Sequence, residues 1–222
     1  MVYRRTLTWG IVVATLAVLV VPVADAALAS TQTASAQTPP AATALRADRT
    51  VEAVRATACP DALTGTVTET APSRTSAQGV AGTSTADLTD FALAYNKVRV
   101  ENCLKPVPLA NFRYDACMET RLFWIAEDPS VDPASAWGHI GTMRSDGVPS
   151  VGCDGNLAGG MNNTGTSFAV KWWLSVPHRT ALYRPAYAGS TANVCIYVAV
   201  THGGVPREPT AFARAAARWA DC

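Results

Sequence analysis

No aromatic residue lies between Trp9 and Phe91, and fifteen of the seventeen aromatics follow from Phe91 onward. Aromatic side chains supply much of the apolar area a small core buries, so the core has to be assembled late in the chain. Residues 27–86 are mostly Ala, Thr, Ser, Pro and Gln with scattered charges. Such a stretch buries too little apolar surface to offset its ordering entropy, and it reads as a flexible linker. Cys59 is the exception, because a disulfide there would tie the linker to the domain. The folded domain is expected over 87–204, with a short helical tail over 205–222 docked through Trp219 and Cys222.

The first 26 residues follow the order of an export signal: Arg4 and Arg5, an apolar run from Ile11 to Val21, then Ala24-Asp25-Ala26. The run is shorter than the ~20 apolar residues a membrane span needs, so no stable span is expected after cleavage. A secreted, extracellular location follows. Six cysteines behind such a signal, with no Cys-x-x-Cys pair, point to disulfides rather than a redox motif or metal cluster. The expected pairing is Cys103–Cys117, Cys153–Cys195 and Cys59–Cys222. A formal net charge of +1 offers nothing to a nucleic acid or an anionic membrane surface.

Leu88, Phe91, Tyr95 and Val98 recur at helical spacing and predict a helix that begins near Thr85 or Asp87. Pro106 and Pro108 force an extended connection. A second helix is predicted over Tyr114 to Glu127, stopped by Asp128-Pro129. After a glycine-rich section centred on Gly152 to Gly160, Thr164 or Thr166 opens a third helix carrying Phe168, Trp172 and Trp173. The nearly all-apolar run Val194 to Val200 reads as a strand covered on both faces. Within the third helix and just beyond it, Trp172-Trp173-Leu174-Ser175-Val176-Pro177-His178-Arg179 sets an imidazole beside a wall of indoles, with Pro177 turning the chain between them.

Five segments, in order, resemble the cysteine-rich secretory protein, antigen 5 and pathogenesis-related (CAP, or SCP-like) superfamily. They are Tyr95-Asn96-Lys97-Val98-Arg99, Val107-Pro108-Leu109, Trp137-Gly138-His139, Asp154-Gly155-Asn156-Leu157-Ala158, and the segment from Trp172 to Arg179 in its bacterial form. The resemblance covers about half the chain, roughly Asp87 to His202. It implies an α+β fold, a three-layer α-β-α sandwich with a small antiparallel sheet and a groove above one edge. In many members two histidines and two glutamates in that groove bind a divalent cation such as zinc. Here the histidines fall on His139 and His178, while the glutamate positions fall on Gly155 and Ser175.

Two imidazoles fall short of a stable zinc site, which uses three or four protein ligands. Asp154 is the one candidate for the third, and with it an open position would remain for an activated water. The resulting alternative is a metal-assisted hydrolase using His139, His178 and Asp154. A serine hydrolase finds no support, since Ser175 lacks a nucleophile elbow and an orienting acid. The preferred reading is a non-catalytic binding module with a degenerate two-histidine site. Its groove is drawn from His139, Asn156, Trp172, Ser175 and His178, and its ligand is a small apolar molecule or an extracellular protein.

Overall fold

The computed structural model describes residues 59–60, 63, 65–132, 134–206 and 208–222. The export signal expected at 1–26, and the linker up to residue 58, lie outside the described residues.

Helix α1, Thr85–Glu101, starts where its apolar spacing says it should. The Ser84 hydroxyl accepts the Asp87 N–H at 3.1 Å, and the Asp87 carboxylate accepts the Ser84 N–H at 2.8 Å. This reciprocal cap contributes about 1 kcal/mol. Leu88, Phe91, Tyr95 and Val98 are buried, as the periodicity requires. Asn96 and Arg99 are buried too, and both are used on backbone. The Asn96 amide donates to the Val107 carbonyl at 2.7 Å and accepts the Val107 N–H at 2.9 Å. Arg99 donates to the carbonyls of Tyr183 at 2.6 Å and Lys105 at 2.7 Å. The pair therefore fastens the Pro106–Pro108 connection to the helix.

Strand β1, Phe112–Tyr114, leads into helix α2, Ala116–Ala126. The Asp115 carboxylate caps α2 by accepting the N–H groups of Cys117 and Met118, each at 2.9 Å. The glycine-rich section supplies strand β2, Asn156–Met161, and Thr164 caps helix α3, Gly165–Leu174. A Cβ at Gly165 would collide with the backbone of Phe91, so glycine is what lets α3 begin against α1. The Gly165 N–H also donates to Asp90 at 2.6 Å. Ser175 breaks α3, and a helical turn, Val176–His178, runs into a π-type turn, Arg179–Tyr183.

Strands β3, Val194–Gly204, and β4, Glu208–Asp221, complete a four-stranded sheet of order β1-β3-β4-β2. β1 runs parallel to β3, and the other two pairings are antiparallel. The fold is α+β, and the sheet is mixed rather than wholly antiparallel. Side chains alternate along β4. Ala213, Ala215, Ala217 and Trp219 join the core built with α1 and α3, whereas Ala216 joins Met118, Leu122, Trp124 and Ile125 of α2. Helices thus pack on both faces of the sheet.

Three expectations are corrected. The tail expected to be helical over 205–222 is β4, because it lies between β3 and β2 and its backbone is satisfied by two ladders. The disulfides are Cys59–Cys103, Cys117–Cys153 and Cys195–Cys222, so each cysteine pairs with its neighbour in sequence and none of the expected pairings forms. Packing also begins before residue 87. Ala71, Val80 and Thr83 are buried, and Ala81 bridges to His202 of β3. Among the described residues, no helix is long and apolar enough to cross a membrane.

Candidate functional site

His139 lies in the long connection between α2 and β2, and His178 ends the helical turn after α3. One imidazole therefore comes from the α2 side of the sheet and the other from the α3 side. They approach closely enough for the charge of His139 to act on His178. Burial first, and then that neighbouring charge, hold the His178 pKa below its ordinary value.

His139 is gripped from two directions. The Asp154 carboxylate stands 3.3 Å from its Nδ1 and accepts the N–H of the next residue, Ile140, at 3.1 Å to both oxygens. From beneath, Nη2 of Arg121 donates to the carbonyls of Gly138 at 2.6 Å and His139 at 3.0 Å. Arg121 is fully buried, with its guanidinium 4.2 Å from the Trp124 ring centroid. Burial pulls the Arg121 pKa down, and the nearby charge of Asp154 opposes that shift.

The remaining groove residues divide. Trp172 is fully buried, stacked on Phe168 and edge-on to Phe91, so it is core and lines no groove. Asn156 opens β2, and its amide donates to the Ala217 carbonyl at 3.0 Å, which makes it a strand fastener. Ser175 serves as the break between α3 and the following turn, its carbonyl accepting the Arg179 N–H at 2.8 Å. Trp173 is half-buried, edge-on to Tyr183 and covered by the Arg179 guanidinium. Trp137 lies over Gly159, where a Cβ would meet its ring, and walls an apolar hollow of about 440 Å3 with Leu157 and Phe212. Neither histidine lines that hollow.

Among the described residues, no three His, Cys, Asp or Glu side chains gather closely enough to hold a metal ion. The donor set His139, His178 and Asp154 does not make such a cluster, and the Asp154 carboxylate is engaged by the Ile140 N–H and by Nδ1 of His139. In place of ligands, the two histidines have aliphatic neighbours along the chain. Ile140 is 49% exposed, Leu174 71% and Val176 60%. These three and Arg121 are the site residues that the sequence reading passed over. Arg121 left a signal, as the one charged residue on the α2 face otherwise made by Met118, Leu122 and Ile125.

The third histidine, His202, lies elsewhere, with Nε2 3.0 Å from Asp87 at the start of α1. Compared with protein-family models, with curated proteins and with solved structures, the chain shows no match.

Proposed function

We propose that this chain is a secreted binding module of the CAP type, a three-layer α-β-α sandwich. Its two-histidine surface receives a small apolar ligand or an apolar patch of an extracellular protein. The observation that carries this reading is the exposure of Ile140, Leu174 and Val176 beside His139 and His178. Exposed aliphatic side chains of this kind serve interaction surfaces, and the two imidazoles add polar anchor points that can donate or accept hydrogen bonds. The three disulfides suit an oxidising, extracellular setting. The metal-assisted hydrolase alternative calls on Asp154, a donor already bound to the loop that carries His139.

The test uses an apolar fluorescent probe, anilinonaphthalene sulfonate, and the double variant Leu174→Ser, Val176→Ser. Both side chains are exposed, so the melting temperature should hold while probe binding weakens about tenfold or more, given ~1–2 kcal/mol for each aliphatic side chain removed from the contact. Unchanged probe binding would overturn the reading. Stoichiometric zinc uptake that is lost in both His139→Ala and His178→Ala would replace it with the hydrolase.

A further inference from the structure

Arg121 is an expensive residue to keep. Its side chain is fully buried, and its Nε and Nη1 have no hydrogen-bond partner among the described residues. A methionine or leucine would fill the same space without burying a cation. What the guanidinium supplies that they could not is a fixed pair of bonds from Nη2 to two successive carbonyls, those of Gly138 and His139.

Asp154 takes hold of the same short segment at the next groups along. It accepts the Ile140 N–H and faces Nδ1 of the His139 ring. The position of Asp154 is itself set by α2. Cys153, the residue before it, is bonded to Cys117, and the Cys153 N–H donates to the Cys117 carbonyl at 3.1 Å. Cys117 and Arg121 are four apart and so share one face of the helix. Gly152 closes the contact. Its φ is +80°, and a Cβ there would run into the Cys117 carbonyl and the Arg121 backbone. A single turn of α2 therefore supports both clamps on His139.

The chemistry of the second clamp has a consequence for the ring. A carboxylate only accepts hydrogen bonds. A neutral imidazole whose Nδ1 faces one carries its proton on that nitrogen, and Nε2 keeps its lone pair. We infer that Arg121 and Asp154 are positioning residues for His139, and that Asp154 fixes the imidazole as its Nδ1–H tautomer, so that Nε2 is presented as an acceptor to an O–H or N–H donor on the ligand. This inference deepens the binding reading and rests on it for its purpose, while the tautomer is a property of the free protein.

Nitrogen-detected NMR of the histidine side chains, recorded without ligand at about pH 7.5, above the ordinary histidine pKa, decides the matter. In the wild type, Nδ1 of His139 should show the protonated signature and Nε2 the unprotonated one. Asp154→Ala should return the ring to the Nε2–H form that free imidazole side chains favour, with the fold intact because this carboxylate is exposed. Arg121→Lys keeps the charge but loses the two-carbonyl grip. It should split or broaden the His139 signals while the amide shifts of β3 and β4 stay in place. An Nε2–H ring in the wild type overturns the tautomer, and unchanged His139 signals in Arg121→Lys overturn the positioning role. Since the probe is absent from these samples, failure here leaves the probe-binding result standing, and the reverse also holds.

Discussion

On the sheet face covered by α1 and α3, the rings of Phe91, Tyr95, Phe112, Phe168, Trp172 and Tyr183 interlock, with centroids 4.5 to 6.3 Å apart. On the opposite face a single helix, α2, covers β3 and β4, and the connection over 127–155 supplies the rest. That connection is held by polar clamps. Asp128 is buried and accepts the Ser130 N–H at 2.9 Å, the Ser135 hydroxyl at 2.9 Å, and both the N–H and the hydroxyl of Ser145. Arg121 and Asp154 act in the same way on His139. The aromatic face gains its stability from area removed from water, which is large and undirected. The clamped face gains less, but directional bonds fix where individual groups point. The surface proposed to bind a ligand takes one histidine from each side.

The sharpest way to break this contrast is Trp172→Ala. It should cost about 3–5 kcal/mol, the usual loss on emptying a buried indole site, seen as a fall in the denaturation midpoint of the whole domain. A loss below about 1 kcal/mol would show that the aromatic layer is not the main source of stability. Asp128→Ala should cost less, about 1–3 kcal/mol, because it strands several donors in partly buried positions. Its effect should be regional, with hydrogen exchange accelerating at Ser130 and Ser145 well before the amides of β3. Uniform acceleration across the sheet would mean that the connection is no separate unit.

The smallest effect expected is that of His202→Gln, and it depends on pH. The hydrogen bond to Asp87 raises the His202 pKa against the opposing cost of burial. The Asp87 carboxyl is lowered: burial pushes it upward, but bonds from His202 and Ser84 outweigh that. The histidine contribution is complete below its unfolded pKa and is lost as pH rises through the folded value. The aspartate contribution is present above its unfolded pKa and is lost as pH falls through the folded value. The pair therefore stabilises most under mildly acid conditions, by no more than about 1 kcal/mol for a partly exposed pair. Thermal melts at about pH 5.5 and 8, either side of the ordinary histidine pKa, should show a larger drop with rising pH in the wild type than in His202→Gln. Parallel shifts in the two proteins would remove His202 from the linkage.

Local order in the chain was legible wherever its cause was local. Apolar spacing placed the starts of α1 and α3 to within a residue or so, Thr164 caps α3 where it was expected, and the apolar run from Val194 became β3. Helix α2 starts at Ala116 rather than Tyr114, because Tyr114 pairs with β3 and Asp115 caps the helix. Trp172 was misplaced as a groove residue because a tryptophan beside a histidine reads the same whether it faces inward or outward, and only the approach of Phe91 and Phe168 settles which. The tail was misread for a related reason. Alanine is the strongest helix former, and Phe212 and Trp219, seven apart, would share one helical face. In the structure they point to opposite faces of a strand whose small side chains let helices close in from both sides.

By itself, then, the sequence determined which segments are apolar, where α1 and α3 begin, and that six cysteines would close on one another. Each of these follows from side chains a few residues apart. Only the tertiary structure decided the partner of each cysteine, the pairing of the Ala-rich strand, and the hold of Arg121 and Asp154 on His139. Those outcomes depend on contacts between groups far apart in the chain, and their energies exist only once the layers have packed.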